Sequence, residues 1–409
     1  MADQLSTLEN HKVDAEESTE GLRLTSPRPR VMIASRCAKT IYSQRLNLAR
    51  NVRDGGWDVV LAGQPVQGPY AELLEQEGMR FCPVAINQQS LSLLSIISAI
   101  VAFWLLCLKH KPDIFHAFTI KPTVAGLIGA WLAGVPTRVV TVAGLGHIFV
   151  SSSRIVSLAG IALLRIALSK AQCVYFYNEH DRQTYIRHRI VKLEKTKVIE
   201  GSGVDTERYQ VSQLPDGECF QLLYIGRILQ EKGITELLAA MQMLRSSRPV
   251  MLHIVGDLDP HNPSSLDREL FESQLSSIRA IWHGHSNNVG SHIDAADAVI
   301  LPSYSEGIPL ALLEAGASGR AMIATDVPGC RDVVRHGLTG LLVPLGDVDK
   351  LSQAITTMAD DRDLVKEMGQ NARNDIVKRF DSTTVNRKML ADYNQLRTTY
   401  SVFPAKTET

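Results

Sequence analysis

Short apolar runs alternate with segments of helical period along almost the whole chain. Residues 31–35, 58–62, 79–84, 114–117, 138–142 and 173–177 are stretches of four to six residues dominated by Val, Ile, Leu, Ala, Phe and Tyr, the pattern of buried strands. The rhythm restarts at 220–225, continues through 250–255 and 280–283, and reaches 298–302. Strands that alternate with helices predict βαβ units and parallel sheets, and the restart predicts two doubly wound halves. Between them lie Gly201-Ser-Gly-Val-Asp205 and the polar stretch 210–218 with Pro215 and Gly217, which together read as the interdomain connection. A cleft between two such sheets is where a ligand is expected.

Residues 90–108 run for nineteen positions without a charge and are followed by Lys109-His-Lys111, so a transmembrane helix has to be weighed. A crossing there would put the strands at 31–35 and 114–117 on opposite sides of a membrane, and one sheet could not form. Ser92, Ser95 and Ser98 also recur at helical spacing. The stretch is therefore expected to be a helix packed on the sheet. In the sharper alternative its outer face, with the mostly apolar 155–168, dips into a membrane surface as a peripheral contact.

With 409 residues, two domains are expected. Lys+Arg and Asp+Glu both number 43, so no net field argues for a nucleic acid or acidic partner. The six cysteines are scattered, with no Cys-x-x-Cys pair, and read as reduced cytosolic thiols and not as metal ligands. Residues 1–28 are polar, lack an apolar signal core, and read as a disordered tail.

Two stretches carry candidate chemistry. In Leu301-Pro-Ser-Tyr-Ser-Glu306-Gly307-Ile308-Pro309-Leu310-Ala-Leu-Leu-Glu314-Ala-Gly316 a strand breaks into a loop and then an apolar helix. Glu306 thus sits at a strand's carboxyl end, where open α/β sheets bind ligands, and free N–H groups at the next helix start favour an anion. Glu314 lies in an apolar segment, where an unpaired carboxylate is costly and a hydroxyl-rich ligand would satisfy it. The second stretch, Gly226-Arg227-Ile-Leu-Gln-Glu-Lys232-Gly233, follows another strand and offers two cations for a diphosphate. Taken alone, the four charges read equally well as solvated loop and helix charges.

Together the two stretches resemble the retaining nucleotide-sugar glycosyltransferases of family 4, whose GT-B fold is two Rossmann-like parallel-sheet domains facing a central cleft. That family's two-glutamate signature is matched by Glu306 and Glu314, with seven residues between. Its Gly-Arg and Lys-Gly are matched by Gly226, Arg227, Lys232 and Gly233. Further matches are His116-Ala-Phe-Thr-Ile-Lys121-Pro, Thr141-Val-Ala-Gly144-Leu-Gly146-His-Ile-Phe149, Gly201-Ser-Gly-Val-Asp205 and Thr325-Asp-Val-Pro-Gly-Cys-Arg-Asp332, which look like the branch that builds capsule, O-antigen and lipid-linked glycans.

The resemblance implies an acceptor domain over 29–203, a sugar-nucleotide domain over 204–383, and a C-terminal helix and tail over 384–409 that cross back to the first domain. It implies that Arg227 and Lys232 hold the donor diphosphate and remove the need for a metal, with no cofactor besides the donor, and that UDP is the expected nucleotide. Glu314 would meet the ribose and Glu306 the transferred sugar. The N–H groups over Gly307, Ile308, Pro309 and Leu310 would face phosphate or sugar oxygens, the base would lie near Trp282 to His285, with His283 as the binding residue, and His116 would face the cleft beside the reacting groups. The acceptor implied is a glycan or polyprenyl-diphosphate-linked hydroxyl, and the location the cytoplasm or the inner face of its membrane. A silent sugar-nucleotide-binding scaffold is the rival reading; a nicotinamide-dependent oxidoreductase lacks its Gly-x-Gly-x-x-Gly.

Three features depart from the family or need separate weighing. Asp257-Leu-Asp259 looks like the metal-binding Asp-x-Asp of the other large glycosyltransferase fold but follows a strand in a two-Rossmann context. Asp332 stands where the family usually has a glutamate. In place of a glycine-rich loop after the first strand, Arg36, Lys39, Tyr42 and Arg45 form a basic stretch, either a plain surface loop or a contact for acceptor phosphates.

Overall fold

The computed structural model describes residues 28–85, 92–144, 154–260 and 262–401. Apart from Arg28, the tail over 1–28 lies outside the described residues, as do Ser90, Leu91, the Gly146-to-Phe149 part of its motif and everything beyond 401.

The first sheet has seven strands: β1 (Arg30–Cys37), β2 (Asp58–Gln64), β3 (Arg80–Pro83), β4 (Ile114–Phe118), β5 (Thr137–Val142), β6 (Cys173–Phe176) and β7 (Thr196–Val198), in the order 3-2-1-4-5-6-7. The second has six: β8 (Phe220–Ile225), β9 (Val250–Val255), β10 (Ala280–Gly284), β11 (Ala298–Leu301), β12 (Ala321–Thr325) and β13 (Gly340–Val343), in the order 10-9-8-11-12-13. Every pairing is parallel. Strands covered by helices on both faces explain the nearly unbroken apolar runs, and β1, β4 and β11 are buried over almost their full length. This is the GT-B fold, and in each half strand order reverses once, between β1 and β4 and between β8 and β11.

The uncharged stretch after β3 is the helix Leu93–His110, capped by Ser92 and packed on β4 through Phe103 and Phe115, whose rings meet edge-on at 5.7 Å. Among the described residues no helix is long and apolar enough to cross a membrane.

The two halves are joined by two chain passages lying side by side: Val204 N–H donates to Phe380 O and Ser382 N–H to Val204 O, both at 2.9 Å. The polar stretch 210–218, expected to lie in the connection, instead wraps the second half. Arg320, fully enclosed, donates to Ser212 O at 2.8 Å and to Gln213 O at 3.3 Å, and Arg362 donates to Pro215 O. A buried guanidinium has to find acceptors, and this segment supplies them.

After the second passage, the helix Ser382–Ser401 lies on the first half. Tyr393 is fully enclosed there, Trp57 Nε1–H donates to Asn394 Oδ1 at 3.2 Å, and Tyr175 OH donates to Asp392 Oδ2 at 2.9 Å.

Candidate functional site

The carboxyl ends of both sheets face one another across the cleft, and direct contacts pin it in two places. At one, Lys39, just after β1, stands 3.3 Å from His285, just after β10. At the other, the loop after β11 meets the ends of β5 and β6: Asn178 Nδ2–H donates to Gly307 O at 3.1 Å. A Cβ on Gly307 would fall 2.1 Å from Ala143 O, so only glycine allows the two backbones this approach.

Glu306 and Lys232 come together between these pins. The loop after β8 runs through Gly226 and Arg227 to Gly233, whose φ of 69° suits glycine, and where a Cβ would lie 2.0 Å from Pro302 O. Tyr304 N–H donates to Glu231 O at 2.9 Å, tying the two loops. Lys232 Nζ then donates to Glu306 Oε1 at 2.5 Å, the two side chains only 22% and 13% exposed. An ion pair so enclosed holds both groups in place more firmly than a surface pair, whose net worth is about 0–1 kcal/mol. Arg227 is different: half-exposed, it reaches Asp259 at 3.2 Å, a pair of that small order and readily exchanged for a phosphate. Asp259, of the Asp-x-Asp stretch, is thereby engaged by a cation.

Glu314 lies on the helix Leu310–Ala317, which begins after Pro309, and accepts from Tyr209 OH at 2.8 Å. Burial raises its carboxyl to about 7, against the smaller opposing effects of the Tyr209 hydrogen bond and Arg208. Nothing in the sequence paired Tyr209 with Glu314, because the two are 105 positions apart. The helix starts at Leu310, after its cap residue Pro309, at the cleft end of the second sheet, and a helix start leaves its first backbone N–H groups without partners inside the helix; Gly307 and Ile308 lie in the loop just before it. The Ile308 side chain packs against Gly201 of the connection. Asp332 ends nearby, and its charge adds to burial, the larger cause, in raising Asp181 of the first half to about 6.

Two expected site residues are placed elsewhere. His116 does not face the cleft: it is fully enclosed inside β4, its Nδ1 2.5 Å from Tyr393 OH and its Nε2 2.8 Å from Thr141 Oγ1. Burial, with Arg45 adding, holds it well below the ordinary histidine pKa, so it is a neutral ring clamping the C-terminal helix. His283 points from the face of β10, an edge strand, and stacks on His253 with Nε2 and Nδ1 2.9 Å apart. Past the strand's end Gly284, at φ 66°, turns the chain, and His285, within the expected 282–285 stretch, is the histidine that reaches across the cleft to Lys39. Arg45, from the basic stretch, is also withdrawn: it is buried over the Phe118 ring at 4.2 Å and donates to Tyr177 OH at 2.9 Å.

Comparison with known proteins agrees with this geometry. The family described as "Glycosyl transferases group 1" matches residues 205–375, and the "Glycosyl transferase 4-like domain" matches residues 43–200. The chain is 26% identical to the capsular polysaccharide biosynthesis glycosyltransferase CapM of Staphylococcus aureus over 333 residues, 78% of this chain and 87% of that one. It is 24% identical to the N,N'-diacetylbacillosaminyl-diphospho-undecaprenol alpha-1,3-N-acetylgalactosaminyltransferase of Campylobacter jejuni, covering 90% of this chain and 99% of that one. Among solved structures, Anabaena Alr3699/HepE in complex with UDP superposes with a TM-score of 0.73 at 21% identity, over 90% of this chain and all of that one. With one family domain matching each half and the GT-B fold around them, the chain belongs to the family 4 glycosyltransferases.

Proposed function

We propose that this glycosyltransferase moves a hexosyl- or N-acetylhexosaminyl-type sugar from a UDP-sugar, with retention, to a hydroxyl of a glycan or polyprenyl-diphosphate-linked acceptor. The observation that carries the reading is the meeting of Lys232 and Glu306 at 2.5 Å, at the β8/β11 switch point and facing the first half. Lys232 and Arg227 are the cations for the donor diphosphate, and as preorganised charges they stabilise the negative charge that grows on it as it leaves. They supply the role a metal plays elsewhere, and the reaction is read as metal-independent. Glu314 accepts hydrogen bonds from the ribose, Glu306 from the transferred sugar, and the N–H groups of Gly307, Ile308 and Leu310 meet phosphate or sugar oxygens.

The chemistry is a front-face substitution. The acceptor oxygen bonds to the anomeric carbon from the side on which the bond to the diphosphate breaks, and a departing phosphate oxygen takes the acceptor's proton. No protein nucleophile is required, unlike the two-carboxylate route of most retaining glycosidases. The lipid-linked acceptor finds support in the acceptor printed in the Campylobacter jejuni relative's name, and UDP in the ligand of the Anabaena structure.

A peripheral membrane contact belongs to the same reading. Leu94, Ile97, Val101, Leu105 and Leu108 stand exposed along one stripe of the helix Leu93–His110, and Trp131, Leu132 and Ile166 are exposed on neighbouring helices.

A panel of radiolabelled UDP-sugars, offered with membrane extract and a metal chelator, tests the reading. Transfer of one sugar, unaffected by chelation, is expected; donor binding without transfer or hydrolysis would favour a scaffold.

A further inference from the structure

β1 and β4 form the switch point of the first sheet, the place in an open sheet where a crevice takes ligand. Their last paired residues are Ala34 and Ala117. Two positions further on stand Arg36, exposed, and Thr119, with the half-buried Lys121 two beyond that. Arg36 lies near enough to Lys121 that, after burial, its charge is what lowers the Lys121 ammonium pKa. Thr119 has a φ of 69°, a conformation out of the ordinary for a β-branched residue and of the kind that gathers at ligand sites. Its Oγ1 is enclosed without a partner, and so is Oγ of the fully buried Ser35.

The two pins across the cleft locate this group. One joins the ends of β1 and β10, the other the ends of β5 and β11. β4 lies between β1 and β5, and β9 and β8 lie between β10 and β11. The ends of β1 and β4, which carry Arg36, Thr119 and Lys121, therefore stand opposite the ends of β8 and β9, and the loop after β8 carries Arg227 and Lys232.

We infer that Arg36 and Lys121, with the Thr119 hydroxyl, form a second diphosphate site on the first-half wall, which takes the diphosphate of the acceptor while Arg227 and Lys232 take that of the donor. The inference rests on the reading of a diphosphate-linked acceptor given above. Two cations and a hydroxyl donor suit an anion with several charged oxygens.

The donor's diphosphate has the same chemistry, so the test must separate the two. Farnesyl diphosphate, a short polyprenyl diphosphate, is titrated into the full chain by calorimetry with and without saturating UDP. It is expected to bind the UDP-saturated protein, whereas farnesol is not. Arg36→Gln and Lys121→Gln are each expected to weaken the farnesyl diphosphate by about tenfold, while UDP affinity, which also reports correct folding, stays within about twofold. Displacement of UDP by the probe, a fall in UDP affinity matching that of Lys232→Gln, or unchanged probe binding in both variants would each overturn the inference. If the wild type does not bind UDP, the donor reading fails, and the titration without UDP still decides this site.

Discussion

Lys232 uses one of its three N–H bonds on Glu306 and has two left for a diphosphate. Lys232→Ala is expected to lower kcat by about 100-fold or more, the scale of losing one preorganised transition-state contact. Unchanged turnover in single-turnover assays would remove that role. Glu314 gives a pH signature. Its carboxyl is raised from the ordinary glutamate value to about 7 by burial, and ribose hydroxyls favour the ionised form. UDP affinity therefore rises with pH through 7, and below it falls toward about tenfold per pH unit. Glu314→Gln imitates the protonated state, so variant and wild type should converge near pH 5 in titration calorimetry and separate at pH 8. A constant difference across that range would contradict the assignment. His116 shows the limit of reading at this scale. Its place in a motif suggested chemistry, but His116 lies in the middle of β4 and is covered by Tyr393, from a helix nearly 280 positions later, a contact that no local pattern announces.

The strand–loop–helix units carry the site because their loops fit against one another. Gly307→Ala places a methyl group against Ala143 O, and the halves must then stand apart at that pin. Lower kcat with a larger radius of gyration by solution scattering is expected, since water competes with the acceptor in an open cleft. An unchanged radius and kcat would show that the contact is dispensable. Most elements were legible. The long apolar runs of β1, β4, β8, β9 and β11 announce themselves because strands buried on both faces need them. β7, β12 and β13 passed unnoticed: β7 is three residues long with two exposed and β13 is buried only at its ends, whereas β12, five buried residues, carries the same signal as β4. The charged pair Lys232 and Glu306 was recognisable as two motifs; that they touch depends on register between β8 and β11, which no single sequence displays. The same holds for Tyr209 and Glu314, and for the wrapping of 210–218 around Arg320.

At the scale of the whole molecule, the two halves are joined by the paired passages at Val204 and Asp381, and the first half presents an apolar flank. If that flank meets a bilayer, the protein should sediment with anionic liposomes, and Val101→Asp with Leu105→Asp should release it. Both positions are more than 40% exposed, so the charges cost the fold little. A wild type that ignores vesicles would confine the contact to the acceptor molecule itself.

The return of the helix Ser382–Ser401 to the first half also bears on the order of events during synthesis. Tyr393, which completes the buried cluster of His116 and Trp57, emerges after the entire second half. At the usual 5–20 residues per second the nascent first half waits roughly ten to forty seconds with that surface uncovered. The second half, whose core draws only on residues from Val204 to Phe380, can close before the first, so this chain is placed to finish its domains in the reverse of the order in which it begins them.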